Sequence, residues 1–268
     1  MERYSKKNNK KYERREPQTP ARELDENAVI GRNAVKELLA SERDIEKIFV
    51  KRGEVEGSLI RLIGIAKERK IPVVEVDKQK LDSMSAGINH QGVIAYASER
   101  NYSSIDEILA YAEQKGEPPF VIVLDGIEDP HNLGAIIRSA ECTGAHGVII
   151  PKRRAAGLTG VVERASAGAL EHMRVAKVTN LNSAIEELKE KGLWIFAADM
   201  GGAAYYETDM TGAAAIVLGS EGFGISRLVK ENCDFTVSIP LKGQVNSMNV
   251  SCAAAVILSE VSRQRSTK

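Results

Sequence analysis

The sequence predicts an α/β protein whose central sheet is parallel and covered by helices. Apolar runs of strand length alternate with amphipathic helical segments along most of the 268 residues. The run FVIVLDGI, residues 120–127, is rich in β-branched residues and lacks polar alternation, as expected of a strand buried on both faces. Apolar residues make up 43% of the chain, which is enough for a substantial core.

The first 27 residues are polar and charged, and we interpret them as a flexible basic arm. Residues 1–22 hold eight lysines and arginines against three glutamates, a local charge of +5, and the other 246 residues therefore carry −5. A basic arm on a mildly acidic body suggests an anionic partner. The alternative is a solvated terminus that has no partner.

Residues 28–98 predict a small α/β unit. The run VIGRNAVKELLAS, starting at Val29, is read as a helix with Val35, Leu38 and Leu39 on one side. The segments that follow are a strand at 45–51, an amphipathic helix at 58–70, and strands at 71–76 and 92–98. Residues 99–117 are read as a linker that contains one helical segment, with Ser104 or Asp106 as its N-cap.

Residues 118–268 form the second predicted domain. After the strand at 120–127, a helix is expected from about Asn132 to Thr143. Glycine is typical just past a helix end, so Gly192 is expected to end a helix at 181–192. Strands are predicted at 147–151, 193–199, 213–219 and 235–240, and a last helix at 250–261.

Composition argues against several classes of protein. The three cysteines and four histidines show no metal-ligand spacing, so no metal site and no disulfide framework is expected. The amino terminus has no apolar core for a signal peptide, and no apolar run approaches membrane-spanning length. Aromatic residues are only 5%, which argues against a surface built on stacked aromatics. We therefore expect a cytoplasmic protein without a membrane segment.

Three strand-to-loop junctions carry polar side chains. Asn132 lies near a helix start, where capping of the backbone alone would explain it. Arg138 lies in a helix that looks largely buried, and a buried guanidinium needs either a structural ion pair or an anionic ligand. Glu221 occupies a glycine turn after the strand at 213–219, where a carboxylate disfavours an anionic ligand. No GxGxxG sequence follows any predicted strand, so the dinucleotide-binding fingerprint is absent.

The third junction is the segment IPLKGQVNSMNVS, residues 239–251, which leads from the last predicted strand into the last helix. Ser247 and Asn249 are natural N-cap residues for that helix, and capping alone is one reading of them. The other reading is a binding site, because the carboxyl ends of parallel strands gather at one edge of the sheet.

Taken in order, these segments resemble the three motifs of the SpoU family, which are RNA ribose 2'-O-methyltransferases of the SPOUT class that use S-adenosylmethionine. The motifs match as DPHNLGAIIRSAECTGA, LGSEGFGIS and IPLKGQVNSMNVSCAAA, and the resemblance covers residues 118–262. Residues 28–98 resemble the RNA-binding domain of the large-subunit rRNA branch, a fold similar to an L30e-like ribosomal protein. Met248 stands where leucine is usual, which conserves volume.

The resemblance implies a deep trefoil knot that forms the cofactor pocket, and a homodimer with the active site at the subunit interface. It implies that Gly219, Ile239 and Met248 contact S-adenosylmethionine and that Leu218 and Leu241 wall its pocket. The implied catalytic residues are Asn132, Arg138, Glu221, Ser247 and Asn249. The candidate RNA contacts in the amino-terminal domain are Arg32, Lys51, Arg52, Asn89, His90 and Gln91.

The roles remain open at two points. Arg138 is expected to bind a neighbouring phosphate and stabilise the developing alkoxide, while Glu221 either orients Arg138 or takes the proton. The expected substrate is a guanosine in the peptidyl-transferase region of 23S rRNA, with a tRNA guanosine or an rRNA adenosine of an antibiotic-resistance enzyme as alternatives. Two other classes were weighed: a non-catalytic RNA-binding protein and a nicotinamide-dependent oxidoreductase.

Overall fold

The computed structural model describes residues 25, 27–41, 43–53, 57–98 and 100–266, so nearly all of the predicted basic arm lies outside the described residues. Two sheets organise this part of the chain, one of four strands and one of six. No helix within it is long and apolar enough to cross a membrane.

The amino-terminal sheet has the strand order β1-β4-β2-β3. β4 is antiparallel to both β1 and β2, and β3 is parallel to β2. Its strands are β1 (Ala28–Ile30), β2 (Ile45–Lys51), β3 (Val73–Val76) and β4 (Val93–Ala97), and its helices are α1 (Arg32–Ala40), α2 (Gly57–Glu68) and α3 (Lys78–Met84).

Two details of this unit differ from the sequence prediction. The start of the predicted helix is a strand instead, because Val29 pairs with Ala95 of β4. Gly31, with a φ of 100°, then ends the strand before the helix begins. Helix α3 was not predicted, although Asp77 caps it by accepting a hydrogen bond from the Lys80 backbone N–H at 2.7 Å.

The second sheet has the order β10-β8-β9-β5-β6-β7, and all its neighbours pair in parallel, which confirms the parallel α/β architecture. Its strands are β5 (Phe120–Asp125), β6 (Gly147–Pro151), β7 (Arg174–Val178), β8 (Trp194–Ala204), β9 (Ala214–Gly219) and β10 (Phe235–Ser238). The accompanying helices are α4 (Ile105–Lys115), α5 (Pro130–Cys142), α6 (Gly160–Ala165), α7 (Leu181–Glu190), α8 (Arg227–Glu231) and α9 (Val250–Ser266).

Helices cover both faces of this sheet. One apolar cluster joins β5 and β9 to α5 and α9 through residues such as Ile136 and Leu258. The other joins the opposite face to α4 and α7 through Ile108 and Ile185. Every residue of β5 is buried, as the uninterrupted apolar run predicted.

Helix α4 lies within the predicted linker but packs into the core of the six-stranded unit. Ser104 caps it in a reciprocal capping box with Glu107, which decides between the two predicted caps. The side chain of Ile108 lies so close to Gly147 of β6 that a Cβ there would come within 2.5 Å. The helical segment of the predicted linker is thus packed rather than extended, because its apolar face is buried against the six-stranded sheet.

Several boundaries also shifted or were missed. Helix α5 begins two residues before Asn132, because Pro130 occupies its first turn and Asp129 caps it. The predicted strand at 193–199 continues to Ala204, and the last helix continues to Ser266. Strand β7 and the short helices α6 and α8 have no counterpart in the sequence prediction.

A buried ionic cluster joins the two units. Arg43 of the first unit contacts Glu163 of α6 at 3.0 Å and Glu171 at 3.3 Å. Arg100 contacts Glu171 and lies 3.7 Å from Glu163. The Glu163 side chain is only 6% exposed, and burial, followed by a side-chain hydrogen bond to Glu171, raises its pKa from 4.5 to about 7.

Candidate active site

A glycine turn at the end of β9 presents the central carboxylate of the site. Gly219 is required there by packing, because a Cβ would lie 2.1 Å from the Gly224 carbonyl carbon and 2.2 Å from the Ile225 nitrogen. Reciprocal backbone hydrogen bonds between Ser220 and Gly224 close the turn at 2.9 and 3.1 Å. Glu221 therefore projects from a fixed turn.

Three N–H donors converge on one oxygen of Glu221. The Asn132 amide donates to Oε1 at 3.1 Å, the Asn249 amide donates to the same atom, and the Val250 backbone N–H lies 3.4 Å away. The Asn249 amide also donates to Asn132 Oδ1 at 3.0 Å. The structure thus brings together three of the five predicted catalytic residues, which lie far apart in sequence.

Asn249 has two roles at once. Its Oδ1 accepts hydrogen bonds from the backbone N–H groups of Ser251 at 3.0 Å and Cys252 at 3.3 Å, so it caps α9. Its amide nitrogen faces the Glu221 carboxylate, as described above. Asn132 does not cap α5, because Asp129 accepts the hydrogen bond from the His131 N–H at 2.8 Å.

A cavity of about 690 Å³ opens where the carboxyl ends of β8 and β9 meet the segment before α9. Ligand pockets for small molecules commonly have this size. Glu221, Ser247 and Asn249 line it at its polar side. All five predicted cofactor residues also line it: Leu218, Gly219, Ile239, Leu241 and Met248.

Some lining residues were not predicted. Asp199 and Met200 of β8 and Asn246 also line this cavity. Asp199 ends the predicted strand 193–199, so the strand-to-loop position that indicated Glu221 would have indicated it too. Lys230 binds the Asp199 carboxylate at 2.6 Å, which partly neutralises that wall.

A second cavity, of about 370 Å³, shares Glu221 with the first. Asn132 and Phe223 line it, and the Phe223 side chain is 95% exposed. The acidic lining residues are Asp125, Glu128, Asp129 and Glu221, and within the described chain Arg154 is the single cationic residue of the lining.

Arg138 does not lie with the other predicted catalytic residues, and the prediction that it is buried is wrong. It is exposed and lines neither cavity, and no hydrogen bond or ion pair is recorded for it within the described residues. His131, Arg138 and Cys142 recur at helical spacing on the solvent face of α5. The apolar neighbours Ile136 and Ile137 are buried because they lie on the opposite side of the same helix.

The amino-terminal candidates divide into exposed and buried residues. The Arg32 side chain donates to Gln91 O at 2.9 Å, and its backbone N–H donates to the Gln91 side chain at 2.9 Å. Lys51 and Arg52 are exposed at the end of β2, where the Lys51 backbone N–H donates to the Gly92 carbonyl at 2.9 Å. Asn89 is exposed, and its side chain accepts the Gln91 N–H at 3.2 Å.

His90 was predicted as an RNA contact, but it does not lie at the surface, because only 6% of it is exposed. Its Nε2 lies 3.1 Å from Asp82 Oδ1, and its Nδ1 accepts the Gly92 N–H at 2.9 Å. The imidazole therefore supports the 89–92 loop from inside. Among the described residues, no group of three or more histidine, cysteine or acidic side chains is arranged to hold a metal ion.

Comparison with known protein families gave two matches. Residues 119–259 match the SpoU rRNA Methylase family, and residues 28–103 match the family described as RNA 2'-O ribose methyltransferase substrate binding. All residues that line the two cavities lie between Asp125 and Ile257, inside the first match.

Two relatives are named for the TrmH family of tRNA/rRNA methyltransferases. YacO of Bacillus subtilis is 46% identical over 238 residues, which cover 88% of this chain and 95% of YacO. A Staphylococcus aureus relative is 44% identical over 245 residues, which cover 90% of this chain and 98% of the relative.

Two solved structures share the fold. The SpoU methyltransferase AviRb from Streptomyces viridochromogenes, solved with AdoMet, superposes with a TM-score of 0.75 at 24% identity and covers 90% of this chain and 91% of AviRb. A crystal structure described as an RNA 2'-O ribose methyltransferase gives a TM-score of 0.73 at 26% identity and covers 89% of this chain and 88% of its own.

Proposed function

The chain belongs to the SpoU family of S-adenosylmethionine-dependent RNA 2'-O-ribose methyltransferases, and we propose that its substrate is a guanosine in the peptidyl-transferase region of 23S rRNA. The observation that carries this proposal is a substrate-binding unit placed ahead of the catalytic domain, at residues 28–103. Its resemblance to the large-subunit rRNA branch and to L30e-like proteins favours rRNA over tRNA. An rRNA substrate also favours a cytoplasmic location.

The larger cavity fits the cofactor. Its volume suits a ligand of that size, and its wall combines apolar side chains with the polar group around Glu221. We assign Leu218, Gly219, Ile239, Leu241 and Met248 to holding S-adenosylmethionine, which supplies the methyl group when bound. Because Gly219 has no side chain, the backbone of Gly224 and Ile225 can pack directly against it beside the cavity.

Glu221 is assigned to accept the proton of the 2'-hydroxyl. Its Oε1 is saturated by donors from Asn132, Asn249 and Val250, and no hydrogen bond to Oε2 is recorded within the described chain. Donors to one oxygen fix the orientation of the carboxylate. The second oxygen therefore remains available as a general base, while Ser247 lines the same cavity to hold the ribose.

Arg138 is assigned to the same reaction through a homodimer. Within one chain it faces solvent on α5, next to α9, whose solvent side exposes Cys252 and Ser259. This face has few charges, so a second copy of the chain can pack on it. In such a dimer, Arg138 of the partner subunit would approach the site around Glu221, which Arg138 of its own chain does not reach. A guanidinium stays protonated at ordinary pH, so we assign it to binding the phosphate and the developing alkoxide.

The knot remains part of the proposal. The chain leaves β10 at one edge of the sheet, and residues 239–249 return past the ends of β8 and β9 to reach α9, which packs beside α5. A return of this kind supports threading of the carboxyl-terminal segment through the preceding loops, and the cavity lies where that segment crosses.

Mixing two inactive variants tests the shared site. We expect Arg138→Lys and Glu221→Gln each to lose most activity while S-adenosylmethionine affinity, measured by calorimetry, stays near wild type. If the arginine comes from the second subunit, mixed dimers contain one intact site, and a statistical mixture regains about a quarter of wild-type activity. No recovery after subunit exchange, or full turnover by Arg138→Lys, would contradict the assignment.

Mapping 2'-O-methyl groups in total RNA from a deletion strain tests the substrate. The expected result is the loss of one modified guanosine in 23S rRNA, restored by the wild-type gene. Loss of a tRNA methylation, or unchanged rRNA, would refute the rRNA assignment. A non-catalytic RNA-binding protein would show no heat of binding with S-adenosylmethionine.

A further inference from the structure

We propose that Arg154 binds a phosphodiester of the RNA backbone next to the reacting ribose, an inference that rests on the proposed RNA substrate. Arg154 follows β6 in the loop that leads to α6, and it lines the 370 Å³ cavity, which shares Glu221 with the cofactor cavity. A nucleotide whose ribose reaches Glu221 can therefore place an adjoining phosphate in this second cavity.

The loop holds Arg154 in a fixed and unusual conformation. Its φ is +55°, in the left-handed region that residues other than glycine rarely adopt. Backbone hydrogen bonds anchor the loop on both sides: the Lys152 N–H donates to Val178 O at 2.8 Å, and the Ala156 N–H donates to Ile127 O at 2.9 Å. Such strain persists only where surrounding structure imposes it, and it is common at ligand sites.

The Arg154 guanidinium is available to an external anion. Within the described lining, Arg154 is the single cation among four carboxylates, yet no ion pair or hydrogen bond is recorded for its side chain. Backbone N–H groups already occupy two of those carboxylates: Asp125 accepts from the Ser226 N–H and Asp129 from the His131 N–H, both at 2.8 Å. The guanidinium keeps its planar set of donors available, which suits two oxygens of a phosphodiester.

A cation at this position also reduces the electrostatic repulsion between the acidic site and RNA. A polyanion must approach a cavity lined by four carboxylates, and like charges at close range oppose that approach. Arg154 supplies one positive charge that offsets part of this repulsion and so directs the backbone past Glu221. We therefore assign Arg154 to positioning the RNA strand, while the chemistry stays with the cluster around Glu221.

The test compares Arg154→Gln with Arg153→Gln, an adjacent exposed arginine that does not line the cavity. Protein-free total RNA from a deletion strain is the substrate, and a 23S rRNA transcript is the probe for binding across a salt series. We expect Arg154→Gln to raise the KM for RNA about tenfold with kcat within about twofold, because one charged contact is lost. S-adenosylmethionine affinity should not change.

The salt dependence distinguishes a phosphate contact from a structural role. Loss of one contact should make the slope of log K against log salt shallower by about 0.7–0.9 in Arg154→Gln, and Arg154→Lys should restore the slope. The same slope in both glutamine variants, or a lowered melting temperature with an unchanged slope, would overturn the proposal. The proposed substrate is tested separately: it would be refuted if the wild-type enzyme transferred no methyl group to this RNA. The salt slopes of binding would still decide the role of Arg154.

Discussion

Replacing Glu163 by glutamine tests whether the buried junction between the two units holds a proton at neutral pH. Glu163 lies between Arg43 and Glu171, with a side chain only 6% exposed. Burial is the largest cause of its raised pKa, and the attraction of Arg43 only partly offsets it. Glutamine has nearly the same shape as a protonated glutamate, so the variant mimics the form that the folded protein favours.

The magnitude follows from the pKa change. A rise from 4.5 in the unfolded chain to about 7 in the folded one corresponds to about 3 kcal/mol. Between these pH values the folded protein binds the proton more tightly than the unfolded chain, so the free energy of unfolding falls as pH rises. The cost of ionising Glu163 is absent below about pH 4.5 and complete above about pH 7.

Thermal unfolding of wild type and Glu163→Gln at pH 5 and pH 8 checks this reasoning. We expect similar stability at pH 5 and a more stable variant at pH 8, by up to about 3 kcal/mol or roughly 6–12 °C. The exposed Glu113→Gln on α4 serves as the control and should show no such difference. A variant less stable than wild type at pH 8 would refute the reasoning, because Glu163 would then be ionised and stabilised by Arg43.

Two further predictions concern the site. Gly219→Ala should weaken S-adenosylmethionine binding at least about tenfold in calorimetry, because its Cβ would displace the closing turn, whereas Gly212→Ala meets nothing within 4 Å and should bind normally; equal affinities would contradict this. Asn249→Ala should lower stability by about 1 kcal/mol and abolish most methyl transfer, whereas Asn180→Ala removes the matching cap of α7 and should lower only stability; equal activities would contradict the functional role.

Local signals predicted the parts of the fold that local chemistry controls. The apolar run of β5 indicated a fully buried strand, and Ser104 was one of the two predicted caps of α4. The three-residue β1 has no such signal, because it exists only through pairing with β4. The packing of α4 had no local signal for the same reason, since its partner surface comes from strands later in the chain.

The site was less accessible to residue-by-residue reasoning. Asn132 and Asn249 reach Glu221 across 89 and 28 positions of sequence, so no local signal joined them. The gathering of strand ends at one edge of a parallel sheet indicated a shared site, and the resemblance to a family gave its residues their roles. Arg138 shows the opposite failure. Its apolar neighbours suggested burial, but a helix on the surface of a sheet buries only one side. The buried residues Leu133, Ile136, Ile137 and Ala140 recur at helical spacing, and Arg138 lies off that stripe.

Asn249 shows why a structural and a functional reading of one residue need not exclude each other. One end of its side chain caps α9 and the other end donates to Glu221, so the helix start and the carboxylate are fixed by the same amide. A loss of activity in Asn249→Ala would therefore arise from either contact. Asn180 resolves this, because it makes the same capping bond to the second residue beyond it without touching the site. The difference between the two variants therefore measures what the contacts of the Asn249 amide with Glu221 and Asn132 add beyond capping.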